Sequence, residues 1–452
     1  MDTTNLTSRE RLRLAILICV HIVICCVSLV YVARFKYLGT FDPANFHIFY
    51  DPDRLYEAVV VAVTFGLASS LFVFARFSFG YFVGFYFYTM ILGYLWLNCF
   101  SDMNYDHQRA GFSAAESAVA FLIPALFISA PLRQRCALSA TAFNRLLMFV
   151  LLLGVATVAV GAMYNFRFVA IEDINNFRDK IESPTILRYL IGITSSALLP
   201  FAFAGFAAGR AYWRAGAVLL LLLLFYPITL SKLALFTPFW LVFMLLLTKL
   251  VEARIIVVLS RLAPMLAGLI LVGLFKAHAA EYFFIVNFRM IAIPSTAMDV
   301  YNDFFSRHDL TYFCQISVLK RIMHCPYPDQ LSIVMQGAYK LGNFNASLFA
   351  TEGIASVGGL FAPITVFICG LVIALGNRLS AGLPASFVLI SGAVLPQVLL
   401  DVPLATALLT HGAGLLFLLW YITPRDFVAN DRTKAFANTG RRTLKPAAKT
   451  TT

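Results

Sequence analysis

Long runs of apolar residues constrain this chain more than any other feature of its sequence. A run of about 20 apolar residues is what a helix needs to cross roughly 30 Å of hydrocarbon. Twelve such runs are predicted, at residues 14–35, 56–76, 79–99, 114–131, 146–165, 188–207, 214–229, 233–250, 256–275, 354–375, 383–400 and 405–422. Only 13% of the residues are charged, too few for a water-soluble surface. The predicted fold class is an all-α polytopic membrane helix bundle of about twelve transmembrane helices.

Basic residues beside these runs predict the orientation of the bundle. Lys and Arg in short loops favour the cytoplasmic side, and they cluster at alternate ends of the predicted spans (Arg9, Arg11, Arg13, Arg133, Arg135, Arg145, Arg210, Arg214, Lys249, Arg254 and Arg378). All of them face one side if there are twelve spans and both termini are cytoplasmic. The net charge of +12 then mainly reflects orientation, and no nucleic-acid partner is expected.

The predicted domain organisation is simple. Residues 1–427 form one integral membrane domain, and residues 428–452 form a basic cytoplasmic tail that is predicted to be disordered. Within the domain, residues 276–353 form a long polar loop on the outer side, between the ninth and tenth spans. Arginines on the outer side are unfavoured by the rule that places basic residues in the cytoplasm, so each is expected to have an anionic partner or a functional role. These arginines are Arg167, Arg178, Arg289, Arg307 and Arg321.

One segment of the long loop has helical spacing. Ser295 after Pro294 is predicted to be the N-cap of a helix over residues 296–306. Asp299, Asp303 and Arg307 recur every four residues and share one face. We interpret this segment as an amphipathic helix at the membrane surface with a solvated, salt-bridged face. No third carboxylate has a suitable spacing, so no metal site is predicted.

The cysteines predict one disulfide. Cys314 and Cys325 both fall in the outer loop, where disulfides persist, and their bond would close a short loop around Lys320 and Arg321. None of the cysteines has zinc-ligand spacing. The chain also lacks the phosphate-binding glycine loop, the zinc-protease helix motif and the serine nucleophile elbow, and no cofactor is expected.

The outer loop combines arginines with aromatic side chains. The planar guanidinium suits a diphosphate, and flat aromatic faces suit sugar rings. A long lipid joined through a diphosphate to a glycan would use both features, with the lipid lying among the spans.

A set of short motifs resembles the long loop of bacterial O-antigen polymerases, also called oligosaccharide repeat-unit polymerases. The motifs are Arg289-Met-Ile-Ala-Ile-Pro294, Tyr301-Asn-Asp-Phe304-Phe305, Thr311-Tyr312, Cys325-Pro-Tyr327-Pro, Gly337-Ala-Tyr339 and Asn345-Ala-Ser-Leu-Phe349-Ala-Thr-Glu352-Gly353-Ile-Ala355-Ser-Val-Gly358. The order of spans from about residue 145 to 420 is also similar. One departure is Glu352-Gly353-Ile354, where Asp-Gly and an aromatic would be expected.

The resemblance implies a large membrane glycosyltransferase bundle (GT-C-like) and a metal-independent glycosyl transfer at the periplasmic face of a bacterial inner membrane. The implied partners are undecaprenyl-diphosphate-linked glycans as donor and acceptor, membrane lipids and a chain-length regulator protein. The implied catalytic residues are Arg289, Glu352 and His308, with Arg289 stabilising the leaving diphosphate and Glu352 or His308 accepting the hydroxyl proton. The implied substrate-binding residues are Arg167, Arg178, Lys232, Tyr301, Arg307, Lys320, Arg321, Tyr339 and Asn345.

Three other interpretations stay open at this point. An O-antigen ligase would share the architecture and differ in its acceptor. A flippase or other carrier of lipid-linked glycans would place its charges inside the bundle, near the membrane midplane. In a non-catalytic assembly subunit, no single arginine of the loop would matter.

Overall fold

The protein is an all-helical bundle in the computed structural model, which describes residues 7–34, 46–170, 174, 177, 181, 183–316, 318–341 and 348–425. The basic tail 428–452 lies outside the described residues. Within the described ranges, eleven helices are long and apolar enough to cross a membrane. They are α1 (Ser8–Arg34), α2 (Pro52–Phe74), α3 (Phe79–Asn98), α4 (His107–Phe127), α5 (Ala140–Tyr164), α6 (Thr185–Ala208), α7 (Tyr212–Thr229), α8 (Lys232–Leu250), α9 (Ala253–Phe275), α10 (Ala280–Phe305) and α12 (Phe349–Ser380).

Shorter helices complete the chain. Helix α11 (Leu331–Tyr339) follows α10, and the last apolar stretch is broken into α13 (Ala385–Ser391), α14 (Leu395–Asp401), α15 (Leu404–Leu409) and α16 (Ala413–Ile422). The two spans predicted at 383–400 and 405–422 are therefore four short helices. The multi-pass helical membrane fold is confirmed.

Several helices begin where the sequence supplies a side-chain cap. Ser78 accepts a hydrogen bond from the Tyr81 backbone N–H, Asp106 from that of Arg109, and Ser139 from that of Ala142. Each cap satisfies one of the backbone N–H groups that a helix leaves unpaired in its first turn. The cap of α3 places its start at the first residue of the predicted run, whereas the caps of α4 and α5 place their starts seven and six residues before the predicted runs.

Helix α3 is the centre of the bundle. Every residue from Phe79 to Leu97 is buried. At Gly80 the neighbouring helices approach so closely that a Cβ atom would overlap the Ala125 carbonyl oxygen of α4. Asn377 of α12 joins these helices, because its Oδ1 accepts from the Gly80 N–H at 2.5 Å while its Nδ2 donates to the Ala125 oxygen at 2.8 Å.

The contacts between loops define two ends of the bundle. At the basic end, Arg378 donates to the Ala130 oxygen at 3.1 Å, and the Leu138 N–H donates to the Ile422 oxygen at 2.9 Å. At the opposite end, called the loop end here, His47 contacts Asp102 at 3.0 Å, and the Asn104 N–H donates to Asp303 at 3.0 Å. The residues after α10 therefore lie at the same end as the loop between α3 and α4.

Helix α10 corrects the predicted boundaries of the long loop. Residues 280–305 were assigned to a loop, but they form a helix of 26 residues whose length and hydropathy place it among the candidate spans. Its polar side chains concealed it in the sequence, because Asn287, Asp299 and Asn302 interrupt the apolar pattern. In the structure each has a partner inside the protein: Asn287 donates to Ser28 at 2.9 Å, and Asn302 donates to Tyr94 at 3.0 Å.

The predicted cap of this helix is also wrong. Ser295 lies inside α10, where its hydroxyl donates to the Ile291 oxygen at 2.7 Å and lies 3.3 Å from the Met90 oxygen. It faces Gly93 of α3, and a Cβ atom at Gly93 would overlap the Ser295 hydroxyl and lie 2.8 Å from Cγ1 of Ile291. The close approach of α3 and α10 thus depends on the absence of a side chain at Gly93.

We expect Gly93→Ala to destabilise the protein by about 1–3 kcal/mol, the usual cost of overfilling a packed interface. The measurement is the thermal unfolding midpoint in detergent. Gly216→Ala is the matched control, because a Cβ there meets nothing within 4 Å and alanine is the better helix former. Equal midpoints for Gly93→Ala and the unchanged protein would contradict the packing of α10 on α3.

Candidate functional site

Asp303 on α10 joins three parts of the loop end. Its side chain is buried, and it accepts hydrogen bonds from the Asn104 backbone N–H at 3.0 Å and the Tyr339 hydroxyl at 2.5 Å. It also forms an ion pair with Arg307, one helical turn later. Two predicted substrate-binding residues, Arg307 and Tyr339, are therefore brought together by this carboxylate.

Asp299 lies one turn earlier on the same face and is also buried. Its carboxylate accepts from the Ser101 hydroxyl at 2.7 Å and from the Tyr105 hydroxyl. The interpretation of this face as solvated is wrong for both carboxylates, although the pairing of Asp303 with Arg307 is present. Buried carboxylates need such donors, since an unpaired charge away from water is very costly.

The two tyrosines beside these carboxylates remain protonated. Burial, and then the hydrogen bond and charge of Asp303, raise the pKa of Tyr339. Burial, and then the neighbouring Tyr94 and Asp299, raise the pKa of Tyr105. Both phenols therefore keep the proton that they donate to a carboxylate, and neither is suited to act as a base.

The loop after α10 is compact and closed by a disulfide. Cys314 and Cys325 are bonded, with a Cα to Cα distance of 5.4 Å, as the sequence predicted. Gln315 donates to the Tyr327 oxygen at 3.0 Å, and Tyr327 packs against Phe304 with ring centres 5.8 Å apart. The disulfide-closed loop therefore packs on the end of α10.

The three basic residues predicted in this loop have separate positions. His308 stacks on Phe304 with ring centres 3.9 Å apart, and its Nδ1 lies 2.8 Å from the Phe304 oxygen. Lys320 donates to the Pro328 oxygen at 2.6 Å, and Arg321 is exposed. His308 is held by its own helix end.

A second group of charges lies inside the bundle, around Arg261 of α9. This arginine is completely buried; its Nη2 donates to the Met290 oxygen at 2.8 Å, and its guanidinium lies over Tyr86, 4.4 Å from the ring centre. Among the described residues, its Nε and Nη1 atoms have no hydrogen-bond partner. Arg261 also interacts electrostatically with Asp401 at the end of α14.

Arg289, the first predicted catalytic residue, belongs to this group. It lies on α10 next to Met290 and is exposed, and its charge also acts on the carboxylate of Asp401. The positive charges of both guanidinium groups therefore act on the same carboxylate, that of Asp401. The Nε and Nη1 donors of Arg261, which lack a described partner, suit an anionic group.

Glu352, the second predicted catalytic residue, lies in the first turns of α12. Its Oε1 accepts from the Leu404 backbone N–H at 2.7 Å, whereas its buried Oε2 has no donor within the described parts of the chain. The buried Tyr301 hydroxyl is likewise without a described partner, and Tyr301 and Glu352 interact electrostatically. Leu404 follows Asp401 by three residues, so Glu352 binds the same broken C-terminal segment that carries Asp401.

The remaining predicted residues lie apart from this interior group or outside the described residues. The Arg167 backbone N–H donates to the Pro227 oxygen at 3.0 Å, and Lys232 begins α8. Both are at the loop end, beside a cavity formed by α5 to α8. Arg178 and Asn345 lie outside the described residues.

Two residues of the interior group were missed in the sequence. Arg261 is a lone arginine in the predicted span 256–275, and Asp401 separates the last two predicted runs. Ionisable residues at membrane depth are costly and usually functional, and that rule would have selected Arg261, whereas Asp401 lies outside both predicted runs.

Within the described ranges, no three His, Cys, Asp or Glu side chains are grouped as metal ligands. Comparison with protein-family models, with curated proteins and with solved structures finds no match. The fold defines a multi-pass helical membrane protein. Any more specific assignment depends on the chemistry of the site.

The disulfide makes a direct prediction for peptide mapping without reductant. A linked pair of peptides containing Cys314 and Cys325 is expected, while the exposed Cys136 is alkylated freely and serves as the control. Reduction should increase tryptic cleavage at Lys320 and Arg321, since closing a loop of this size contributes about 3 kcal/mol in the chain-entropy model. Alkylation of both loop cysteines before reduction would refute the pairing.

The Asp303 contacts predict that Asp303→Ala loosens the loop end. The substitution leaves Tyr339, Arg307 and the Asn104 N–H without their acceptor, at a cost of about 1–3 kcal/mol. A lower unfolding midpoint and faster proteolysis between residues 306 and 341 are expected. Asp309→Ala, at an exposed position six residues later, should match the unchanged protein; identical behaviour of the two variants would contradict a joining role for Asp303.

Proposed function

We propose that the protein polymerises undecaprenyl-diphosphate-linked oligosaccharide repeat units, as the resemblance of its sequence to O-antigen polymerases implies. The observation that carries the proposal is the interior group, in which the charges of Arg261 and Arg289 both act on Asp401, and Arg261 has two nitrogens without a described partner. Glu352 binds the same C-terminal segment at Leu404, and its other carboxyl oxygen has no donor among the described residues. The cations suit a leaving diphosphate, and the carboxyl group suits an incoming hydroxyl.

The proposed step is a glycosyl transfer without a metal. A sugar hydroxyl of one lipid-linked repeat attacks the anomeric carbon of another chain. The bond from that carbon to the diphosphate oxygen breaks, and its electron pair leaves with undecaprenyl diphosphate. Arg289 and Arg261 stabilise the growing negative charge, and Glu352 accepts the hydroxyl proton. His308 stays the alternative base that the resemblance implies, because the hydrogen bond at its Nδ1 leaves its Nε2 lone pair available.

The proposal places the protein in a bacterial inner membrane. The basic end faces the cytoplasm, as the charge rule favours, with both termini on that side. The loop end, with the disulfide-closed loop, faces the periplasm, where a disulfide persists. A chain-length regulator protein is an expected partner at that face.

A carrier of lipid-linked glycans is the second candidate, and one observation favours it. Arg261, Asp401 and Glu352 lie inside the bundle, where a carrier would hold the charged part of its cargo. The two candidates differ in what a defective variant produces. Without the polymerase, single repeats still reach the outer surface, whereas without the carrier they do not.

Arg289→Lys tests the polymerase. Lysine keeps the charge but loses the two-pronged grip on a diphosphate, and removing one such donor commonly costs about 100-fold or more in rate. In a strain whose own gene is deleted, at matched expression, we expect glycans that stop at one repeat unit. The matched control is Arg109→Lys, because Arg109 is exposed at the same end and pairs with Asp106. A normal long-chain ladder from Arg289→Lys would reject the catalytic role, and absence of even single repeats would favour the carrier.

A further inference from the structure

A cavity of about 400 Å³ opens among helices that the proposed reaction does not use. Its walls are the end of α5, the start of α6, the end of α7 and the start of α8, with Val394 and His411 from the broken C-terminal segment. Helices α5 to α8 run in alternate directions, because α5 begins beside Ile422 at the basic end and Asn165, which follows it, contacts the end of α7. The cavity therefore lies toward the loop end, the same end as Asp299 and Asp303.

Three interruptions of regular helix converge on this cavity. Ser195 and Ser196 lie in a π-helical turn over Thr194–Leu198 of α6. Ser231 follows Leu230, a fully buried residue with the left-handed backbone angle φ 46°. His411 precedes Gly412, with φ 76°, in the break between α15 and α16. Irregular backbone at membrane depth is tolerated where it is buried in protein or lines a polar cavity, and both π-turns and strained residues are frequent at binding sites.

A close approach also brings the broken segment to α6. A Cβ atom at Gly192 would lie against the Thr410 carbonyl oxygen. Glycine therefore permits the contact that carries His411 into the cavity wall.

The chemistry of the lining indicates the class of ligand. Most polar lining side chains are hydroxyl or amide groups, Arg188 and His411 are basic, and none of the described lining residues carries a carboxylate. Hydroxyl and amide groups exchange hydrogen bonds with sugar hydroxyls, and arginine suits a phosphate. Apolar lining residues such as Leu187, Ile191 and Leu222 provide a surface for the carbon faces of a sugar ring.

We propose that this cavity binds the first sugar and attached phosphate of a second lipid-linked glycan, an inference that rests on the proposed polymerase function. A polymerase must hold two glycan lipids at once. The interior group around Arg261 and Arg289 binds the diphosphate of one, and the cavity binds the other. The broken segment 395–411 supplies residues to both sites, because Asp401 interacts electrostatically with both arginines and His411 lines the cavity.

Binding of lipid-linked oligosaccharide extracted from the organism's own membranes tests the proposal, with the full chain in lipid nanodiscs. The unchanged protein should bind two equivalents. Ala234→Phe, which fills the cavity from α8, should bind one, and Arg188→Ala should weaken the second equivalent by about tenfold, or about 1.4 kcal/mol. The matched controls are Ala156→Phe on the exposed face of α5 and Arg109→Ala, which should bind as the unchanged protein does.

Two competitors identify which part of the ligand is recognised. The glycan released from the extract by mild acid should displace the second equivalent, whereas farnesyl diphosphate should displace the first. Displacement of both equivalents by farnesyl diphosphate alone would mean that the cavity binds a lipid diphosphate without its sugar, and would overturn the proposal. Two equivalents in Ala234→Phe with an unchanged unfolding midpoint, or no binding of the extract by the unchanged protein, would also overturn it.

A ladder assay on the same preparations separates this proposal from the polymerase itself. If the unchanged protein elongates glycans and Ala234→Phe elongates them equally well, the cavity proposal fails alone. If the second equivalent is lost in Ala234→Phe but the unchanged protein makes no ladder, the cavity is a glycan site and the polymerase proposal fails.

Discussion

The rest of this structure depends on one constraint, that polar side chains among the spans must find partners inside the protein. Hydrocarbon supplies no hydrogen bonds, so the buried carboxylates of α10 determine what can pack around them. Asp299 binds the loop between α3 and α4, and Asp303 binds that loop, α11 and Arg307. The hydrogen bonds and the ion pair that satisfy the polar side chains of α10 therefore also hold the loop end together.

The ionisable side chains of Arg261 and Glu352 in the interior group, unlike the carboxylates of α10, are not fully paired within the described residues. Arg261 is completely buried, yet two of its nitrogens lack a described hydrogen-bond partner, and it shares Asp401 with Arg289. A structural ion pair would be expected to satisfy its donors, because breaking or under-pairing a buried charge is expensive. The two nitrogens of Arg261 that lack a described partner are instead suited to a transient anion. They support a diphosphate site more strongly than the charges of the disulfide-closed loop, which face outward or bind backbone oxygens.

The sequence predicts the simple spans well because hydrocarbon enforces a simple pattern. Nine predicted runs, from 14–35 to 256–275, correspond to helices α1 to α9. The pattern fails at α10, where Asn287, Asp299 and Asn302 are compensated by partners far away in the chain, such as Ser28 and Tyr94. A sequence window cannot contain those partners. The disulfide was predictable because only two cysteines fell in the outer loop. The interaction of Arg261 with Asp401 was not predictable, because the two residues are far apart in the sequence and only the fold brings them together.

The broken helices after residue 384 connect these observations. A continuous span satisfies all its backbone groups itself, whereas α13 to α16 leave groups at each break that must bond elsewhere. One such group, the Leu404 N–H, binds Glu352, and another break carries His411 to the cavity wall. The polar groups at one break are thus bonded to Glu352, and those at another line a cavity. Polar ligands are proposed to bind at both places. One run of chain therefore supplies a group to each of the two proposed sites, Asp401 to the first and His411 to the second.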